Sequence, residues 1–561
     1  MDVLYGIVDT INNILWNDVA LFVVLGVGVL FTIWSGFSQY RALTHGSAVT
    51  IGRYDDANDP GAINHFQALS AALSATVGLG NIGGVALAIA LGGPGAVFWM
   101  WTIGLVGMAL KMIEVTLSMM YRNIDDPDNP HGGPMFVAAK AFKERGYAKL
   151  GAIVGGIFCI TLLTSTVFGG NMFQAWNVAE LTHIYFDVPQ VATGIVLSIL
   201  VGAVIIGGIK RIGQVAGSLV PLMVALYLLA SIYVIVVNID LVPDILRMIV
   251  SYAFSTGEAE GAFIGGTAGY AFMWGLKRSL FSSEAGQGSS PIAHSAAKTD
   301  EPVRESLVAG LEPFIDTIVV CTLTALVILG SGVWNRGEDV LFVEPPAAVQ
   351  LEDAGSWTFE RTLLQKTDDE ELVAGAEVFS IFKSDVNPTS GKNLHRVRGL
   401  VVKEGDDMFV EWKTFEGAVK PEPAATGVFF DYQGAALTAQ AFDAVEDGLG
   451  KWLITLAAWL FAISTMISWS YYGENGVVYL TKGKGILLYK ILYCVVIVIA
   501  TVPALIKTDA ELDAITTLGT GSMLWVNVPL MLIFGNVAVK KYREYIKKLK
   551  AGEFEHEKVS S

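Results

Sequence analysis

The sequence has few of the residues that build disulfides, metal centres and nucleotide sites. Its 561 residues include only three cysteines and seven histidines. Cys159, Cys321 and Cys494 all fall inside apolar runs, so neither a disulfide framework nor a metal site is indicated. No glycine-rich stretch has the spacing and the Lys-Ser or Lys-Thr pair of a phosphate-binding loop. We therefore expect no cofactor, and we expect neither an enzyme nor an ATP-driven pump.

Charged residues are also scarce, at 16% of the chain, and acidic residues outnumber basic ones to give a net charge of −16. A strongly negative chain is a poor partner for nucleic acid, which we exclude as a ligand. The first eighteen residues lack the basic start of a secretory signal and contain three aspartates. No cleavable signal is therefore predicted.

Apolar residues, in contrast, make up 53% of the chain, and the mean hydropathy is +0.52. These values exclude a disordered chain, and several apolar runs are long enough to cross a bilayer. The sequence therefore indicates a polytopic protein surrounded by membrane lipid. We predict spans at about 19–38, 66–91, 95–121, 150–180, 190–208, 213–238, 262–285, 305–332, 450–472, 485–505 and 515–537.

Basic residues cluster in every second connection between these spans, as they do in cytoplasmic loops. This alternation predicts an N-terminus outside and a C-terminus in the cytoplasm. Residues 546–561 are predicted to form a polar, basic cytoplasmic tail. An alternative role for the basic residues after the last span is the binding of anionic lipid.

Residues 333–448 interrupt the pattern of spans with a long acidic segment that is predicted to lie outside. Within it, 397–403 and 408–415 flank a Glu-Gly-Asp-Asp turn, which predicts a hairpin in a small β-rich domain. More than a hundred residues are too many for a bare loop in a compact protein. We therefore expect a membrane domain in two parts, 1–332 and 449–545, with an extracytoplasmic insertion between them.

The stretch 68–86 has the pattern of a membrane helix that is interrupted. Its glycines, Gly78, Gly80, Gly83 and Gly84, lower helix propensity. Unwound backbone at membrane depth is tolerated only where it is buried in protein or lines a wet cavity. Such a break presents amides to an anion and carbonyls to a cation. The alternative is a helix face of small residues that lets a neighbouring helix approach.

A second interrupted stretch, 272–291, contains further glycines and places Arg278 and Glu284 in or beside a span. Paired glycine-interrupted spans in corresponding halves point to a transporter binding site. These are the second and seventh predicted spans, which is the spacing of two five-helix repeats that follow one extra helix. The alternative is a cytoplasmic loop with a turn rich in serine and glycine.

Other polar residues lie inside apolar spans. Asn171 and Gln174 share a helix face and suit either substrate contacts or interhelical hydrogen bonds. Ser464 and Thr465 offer neutral oxygens to a small hard cation, and Trp469 lies one turn further along. Hydroxyls in membrane helices usually bond to their own backbone, however, so this pair alone is a weak indication.

Four motifs together resemble the alanine or glycine:cation symporter family, the sodium:alanine symporters. They are GGPGAVFWMW at 92–101, TVGLGNI at 76–82, FSSEAGQGS at 281–289 and SYYGE at 470–474. The resemblance covers 1–332 and 449–545 but not 333–448. The residues 77–81 are also similar to the first broken helix of the neurotransmitter:sodium symporters.

This resemblance implies an all-α, leucine-transporter-type membrane fold of about eleven helices. Two inverted five-helix repeats follow an extra N-terminal helix, and the β-rich insertion is added to them. The family also implies cotransport of a small neutral amino acid, alanine or glycine, with sodium by alternating access. The expected location is a bacterial cytoplasmic (inner) membrane.

Under this interpretation the substrate carboxylate is expected on backbone amides near Gly80, and the ammonium group near carbonyls around Trp274. The expected substrate contacts are Thr76, Leu79, Gly80, Asn81, Phe168, Gln174, Met273, Trp274, Gly275, Thr465 and Trp469. The expected sodium ligands are Ser74, Val77, Ser464 and Thr465. The expected gate residues are Arg278, Glu284, Glu474, Lys111 and Glu114.

Several alternatives stay open. The family commonly has Gly at Ser279, Asn at Ser283 and Thr at Leu79, so the choice among alanine, glycine and a larger neutral amino acid is not fixed. The driving ion could be a proton, with Lys111, Glu114, Glu284 or Glu474 titrating. A transporter-like nutrient sensor that uses the insertion is a second class, and an ion channel is a third. A monomer is the simplest expectation for the assembly.

Overall fold

The computed structural model of the protein describes residues 2–56, 58–254, 268–351, 355–367, 372–386, 393–432, 434–503, 505 and 509–554. It is mostly helical and carries a small sheet insertion, which confirms the predicted fold class at that level. The first six residues of the predicted span 262–285 lie outside the described residues.

The helices follow the predicted spans closely. The first half of the chain forms α1 (Asp2–Leu15), α2 (Asp18–Trp34), α3 (Ser38–Arg41), α4 (Ser47–Thr50), α5 (His65–Thr76), α6 (Val85–Gly92), α7 (Gly95–Tyr121), α8 (Pro134–Glu144), α9 (Ala148–Val167), α10 (Phe173–Phe186), α11 (Gln190–Ile205), α12 (Gly208–Val237) and α13 (Val242–Tyr252). The second half forms α14 (Ala268–Ser283), α15 (Ser290–His294), α16 (Pro302–Ala309), α17 (Thr322–Gly330), α18 (Ala435–Asp443), α19 (Thr455–Thr481), α20 (Ile486–Ala500) and α21 (Asp509–Lys550). The basic residues of the predicted tail up to Lys550 therefore continue α21.

Short irregular turns join several of these helices. The π-helical turns are Ala42–Gly46, Gly80–Gly84, Phe168–Met172, Phe314–Cys321 and Leu449–Ile454, and the 3₁₀ turns are Ile239–Leu241 and Val333–Asn335. Single π-helical turns inside α-helices occur often at functional sites.

Six helices are long and apolar enough to cross a membrane, and two bent pairs of helices raise this number to eight. One bent pair is Val19–Trp34 with Ser38–Thr50, and the other is His65–Thr76 with Gly80–Gly92, at angles of 68° and 53°. Gln190–Ile205 is among the shorter apolar helices. The described residues thus show a multi-span protein, and eleven spans remain a prediction.

The insertion forms two antiparallel sheets. Its strands are β1 (Val340–Leu341), β2 (Ala348–Gln350), β3 (Ser356–Phe359), β4 (Thr362–Leu363), β5 (Glu377–Lys383), β6 (Leu394–Glu404), β7 (Asp407–Trp412), β8 (Phe415–Glu416), β9 (Glu422–Pro423) and β10 (Gly427–Phe430). The order in the larger sheet is β1-β10-β5-β6-β7-β4, with β9 on β5, and the smaller sheet is β2-β3-β8. The predicted hairpin is confirmed, because Glu404 pairs with Asp407 across a tight turn in which Gly405 has a φ of 61°.

The predicted insertion 333–448 also contains a helix that belongs to the packing of the membrane part. The hydroxyl of Thr438, on α18, donates to the carbonyl of Ile82 at 3.0 Å. A β-carbon on Gly83 would lie 2.9 Å from the backbone nitrogen of Ala435. The α18 helix therefore rests directly on the interrupted stretch near Gly83, and only a glycine lets it come so close.

This close approach predicts the effect of adding one methyl group. We expect Gly83→Ala to lower the free energy of unfolding by about 1–3 kcal/mol, which is the usual effect of overpacking. Gly26→Ala is the matched control, because nothing lies within 4 Å of its added carbon, and it should be neutral or mildly stabilising. Thermal unfolding of the purified protein in detergent measures both, and equal effects would contradict the packing described.

Candidate functional site

The first interruption begins where α5 ends. A capping box starts this helix, since Gln67 N donates to Asn64 Oδ1 at 2.8 Å and Asn64 N donates to the Gln67 side chain at 3.2 Å. At the other end Val77 has extended backbone angles, φ −77° and ψ 91°. The helix resumes at the π-helical turn Gly80–Gly84. The predicted break in the second span is therefore confirmed.

The side chain of Asn81 replaces the helical hydrogen bonds that this break removes. Its Oδ1 accepts from the amide of Gly78 at 2.8 Å, and its Nδ2 donates to Ser282 Oγ at 2.9 Å and to the Asp316 carboxylate. Asp316 also accepts from Ser282 and from Thr317, at 2.9 Å and 2.8 Å. The fully buried Asp316 thus links the first broken span to α14. The sequence analysis did not identify Asp316. Its position inside the predicted span 305–332 was a usable sign, because a carboxylate within a membrane span is usually functional.

The second interruption lies between α14 and α15. Glu284, Gly286 and Gly288 have φ values of 53°, 81° and 84°, a left-handed conformation in which a helix cannot continue. Met273, Trp274 and Gly275 lie well before this point, inside α14. Their carbonyls are therefore part of a continuous helix.

The two breaks enclose a small cavity. Of the predicted residues, Thr76, Gly80, Gln174, Trp469 and Glu284 line it, and Phe281, Ser282 and Thr520 are lining residues that were not predicted. Its volume of about 20 Å³ is room for roughly one water molecule. The described conformation is therefore tightly closed around the cavity.

Gln174 and Trp469 approach the cavity from two other helices. Gln174 Nε2 donates to the carbonyl of Gly169 at 3.2 Å, while its buried Oε1 has no hydrogen-bond partner among the described residues. A β-carbon on Gly170 would lie 2.2 Å from the Trp469 ring, so the indole packs directly on the Gly170 backbone. The cavity thus has one unpaired acceptor and one broad apolar wall.

A cluster of buried neutral oxygens lies beside the cavity. Ser74 Oγ donates to the carbonyl of Ser464 at 2.6 Å, and Thr465 Oγ1 donates to the carbonyl of Ser74 at 3.0 Å. All three residues are at most 1% exposed. Thr465 Oγ1 would also lie 2.7 Å from a β-carbon on Gly78. The structure therefore brings three of the four predicted cation ligands together, and Val77 is the first non-helical residue next to them.

Other predicted residues lie away from the cavity. Trp274 is buried under the cations of Lys277 and Arg278, at 5.0 Å and 5.5 Å from its ring. Phe168 is half-buried in its π-helical turn. Leu79, between Gly78 and Gly80, is buried at the end of the break. Leu79 is therefore the only one of these three positions that belongs to the interruption itself.

The predicted gate residues form separate contacts. Arg278 and Glu284 form no ion pair with each other in the described chain; the carboxylate of Glu284 accepts from Ser289 Oγ instead. Glu474 lies 3.0 Å from the ammonium group of Lys490. The three expected gate residues Arg278, Glu284 and Glu474 therefore do not contact one another in the described structure.

Lys111 and Glu114 have closer partners than each other. Lys111 Nζ is 3.8 Å from Glu114 but 3.2 Å from Glu312, and all three side chains are buried. Glu114 accepts from Asn527 Nδ2 at 2.9 Å and from the amide of Gly288 at 3.1 Å, beside the second break. Sequence spacing identified the local pair, whereas Glu312 comes from a distant helix.

Comparison with known proteins gives a consistent result. The sequence profile described as "Sodium:alanine symporter family" matches residues 1–358 and 424–559. The sodium/alanine symporter AgcS of Methanococcus maripaludis is 35% identical over 88% of this chain and 87% of its own length. The putative sodium/proton-dependent alanine carrier protein YrbD of Bacillus subtilis is 29% identical over 97% of this chain and 93% of its own.

The matched ranges extend further into the predicted insertion than expected from the motifs, and they leave 359–423 outside. Among solved structures, a manganese transporter of Eremococcus coleocola is similar with a TM-score of 0.47. It is 12% identical, and the match covers 87% of this chain and 89% of the other.

The central position of Asp316 predicts a large loss of stability when its carboxylate is removed. Asp316→Ala removes the acceptor of three buried hydrogen bonds, from Asn81, Ser282 and Thr317, and a buried donor that loses its only acceptor costs about 1–3 kcal/mol. The exposed Asp240→Ala is the control, and it should change the free energy of unfolding by less than about 0.5 kcal/mol. Thermal unfolding in detergent compares them, and equal stability would show that Asp316 does not hold the two breaks together.

Proposed function

The chain belongs to the sodium:alanine symporter family, and we propose that it couples inward sodium movement to the uptake of a small neutral amino acid. The coupling would operate by alternating access, with the cavity opening to each side of the membrane in turn. We place the protein in a cytoplasmic (inner) membrane with the N-terminus outside and the C-terminus inside. No catalytic step is required, because the substrate leaves unchanged.

The observation that carries this proposal is the buried oxygen cluster of Ser74, Ser464 and Thr465 next to a cavity between two broken helices. Small hard cations prefer oxygen ligands, and discontinuous helices in transporters provide them from unwound backbone. The proposed sodium ligands are the two hydroxyls of Ser464 and Thr465 together with carbonyls of Ser74 and Val77. Sodium would then hold α5 and α19 together across the site.

The substrate carboxylate is proposed to bind where the first broken span resumes. The amides near Gly80 stand at the start of the second half-helix, where the positive end of the helix dipole favours an anion. Asn81 would not contact the substrate with its side chain, because that side chain already satisfies Gly78, Ser282 and Asp316. Its role would be to hold the amides in place.

The substrate ammonium group is proposed to bind the unpaired Oε1 of Gln174 and the carbonyls at the end of α14. The last carbonyls of a helix have no partner within the helix, and α14 ends at Ser283 beside the cavity. This location replaces the predicted carbonyls around Trp274. The rings of Phe281 and Trp469 would leave room for a small side chain and exclude a large one.

Two features support the paired-repeat architecture within this proposal. The interruption at Val77–Gly80 falls in the second predicted span, and the one at Glu284–Gly288 begins at the end of the seventh, 262–285. Residues of both interruptions line the same cavity. Each interrupted span would be the first helix of a five-helix repeat, and the extra helix α2 would precede the first repeat. We take the monomer as the transporting unit.

Transport measurements test this function directly. Purified protein in liposomes should accumulate labelled alanine under an inward sodium gradient, and unlabelled neutral amino acids should compete. Thr465→Val removes one proposed ligand and should raise the sodium concentration for half-maximal uptake at least tenfold. Thr164→Val is the matched control, because that hydroxyl bonds only to the carbonyl of Ile160 in the described structure. Uptake by the unmodified protein that does not depend on the sodium gradient would overturn the assignment of sodium as the coupled ion.

The strands of the insertion give a way to test whether it takes part in transport. Phe342 N donates to Thr426 O at 3.0 Å. The two ends of the segment between β1 and β10 therefore lie next to each other. Replacing 344–424 by Asn-Gly would close β1 and β10 with a two-residue hairpin and keep α18 in place. We expect sodium-dependent uptake within threefold of the full chain at equal membrane abundance. Loss of uptake with retained abundance would instead favour a sensing or gating role for the sheets.

A further inference from the structure

A basic cleft lies where the end of α2 meets the last turns of α21. Phe37, Tyr40 and Arg41 line it from the N-terminal part of the chain, and Arg543 and Lys550 line it from α21. Its volume is about 440 Å³, which is within the range of sites for small molecules. We call this site the basic cleft. Two segments from opposite ends of the chain therefore build one concave site.

Three cations line the basic cleft, and no carboxylate is among its described lining residues. Arg543 and Lys550 are seven residues apart, so they share one face of α21. Neither they nor Arg41 forms an ion pair with a carboxylate that the structure describes, whereas Lys548 lies 3.5 Å from Glu301. Like charges repel one another unless an anion lies between them. The basic cleft therefore has the electrostatic character of a site for an anion from outside the chain.

The orientation of the protein accounts for only part of this charge. Basic residues collect on the cytoplasmic side of membrane proteins, and both walls of the basic cleft lie at predicted cytoplasmic ends of spans. Orientation does not require, however, that cations from the two ends of the chain face into one concave site. Their arrangement around the cleft therefore points to a ligand.

Arg543 connects the two walls of the basic cleft. Its Nη2 donates to the carbonyl of Trp34, the last residue of α2, at 2.8 Å. The last carbonyls of a helix have no partner within the helix, so this bond completes the end of α2. A guanidinium has several N–H donors, and its planar fork matches the oxygens of a phosphate. Arg543 can therefore support the end of α2 and bind a phosphate at the same time.

Two aromatic rings form the rim of the basic cleft. Phe37 and Tyr40 are 65% and 64% exposed. Phe37 has a φ of 58°, a left-handed conformation that is unusual for a bulky residue. Strained backbone of this kind clusters at ligand sites, and aromatic rings are enriched where a membrane meets water. The rim therefore has the composition of a surface at the level of the lipid headgroups.

An exposed apolar strip begins beside Arg543. This residue also lines a neighbouring cleft, together with Trp34 and Asn536. Leu30 and Leu532 lie four residues before Trp34 and Asn536, so each shares a helix face with one of them. Leu30 and Leu532, which we call the apolar strip, are 45% and 44% exposed. The basic cleft thus adjoins a surface that suits acyl chains.

We propose that the basic cleft binds an anionic phospholipid of the cytoplasmic leaflet, with its phosphate among Arg41, Arg543 and Lys550. Its acyl chains lie along the apolar strip. The neighbouring cleft contains Glu544, a carboxylate that disfavours a second phosphate there. Anionic lipids of the cytoplasmic leaflet attract basic segments next to membrane spans, and a soluble phosphate has nothing to place on the apolar strip. The lipid site goes beyond the symport proposed above and takes only the orientation from it.

Lipid binding by the full-length protein tests the proposal without any transport. Native mass spectrometry in a neutral detergent measures the dissociation constants of dioleoylphosphatidylglycerol and of zwitterionic dioleoylphosphatidylcholine. We expect the anionic lipid to bind at least tenfold more tightly, and its binding to weaken as salt is added. Arg543→Gln should weaken this binding about fivefold or more. Lys548→Gln is the matched control and should change it less than twofold, because it removes one charge from the same helix at a residue that pairs with Glu301.

Three outcomes would overturn the lipid site. They are equal affinity for the two lipids, equal effects of Arg543→Gln and Lys548→Gln, and displacement of the lipid by millimolar inorganic phosphate, which would assign the cleft to a soluble anion. If Arg543→Gln does not fold, Lys550→Gln replaces it, because the Lys550 side chain forms no ion pair in the described structure. None of these results bears on sodium-dependent alanine uptake, and absence of that uptake would leave the lipid site intact.

Discussion

A helix that crosses a membrane can be interrupted only if other groups satisfy the backbone that the break exposes. In this protein the first break depends on Asn81, which accepts from Gly78 and donates to Asp316 and Ser282. Asp316 comes from a different span, and Ser282 is in the last turn before the second break. One buried carboxylate therefore keeps two interrupted helices facing the same small space.

Small residues determine how tightly that space is enclosed. Gly78 lets the hydroxyl of Thr465 reach the backbone, Gly170 supports the indole of Trp469, and Gly83 receives α18. In lipid the hydrophobic effect contributes little to the association of helices. Close packing of their backbones is therefore a main source of helix–helix association. The enclosed volume holds about one water molecule, so an amino acid can enter only when the surrounding helices move apart. Tight packing and the alternating access of a symporter are thus two aspects of the same arrangement.

The sequence predicted the features that local chemistry controls. The break at Val77, the Ser464–Thr465 oxygens and the hairpin of the insertion each follow from neighbouring residues. The second interrupted stretch, 272–291, contains the observed break at Glu284–Gly288, but its sequence did not show which of its glycines would break the helix. In the structure Gly275 lets α14 approach the carbonyl of Ala96, and a glycine in sequence does not distinguish a close approach from a break.

Partners from distant spans could not be predicted in the same way. Glu305 and Glu312 are seven residues apart, which places them on one helical face, and their apolar setting was a usable sign of function. Which bases they meet depends on how α5, α7 and α15 pack, and no spacing within one segment contains that information. The pair of Lys111 and Glu114 could be predicted because the two residues are three apart on one helix. Glu312, from a distant segment, is nevertheless the closer partner of Lys111.

The π-helical turns at Gly80–Gly84, Phe168–Met172 and Phe314–Cys321 have a consequence for the evolution of related chains. Each adds about one residue to a helix, and one residue rotates everything after it by about 100°. A relative that lost one of these turns would present a different face of the same helix to the cavity. Single-residue insertions and deletions at these three places would therefore change specificity more than many substitutions, and alignments that spread such gaps elsewhere would pair residues that do not correspond.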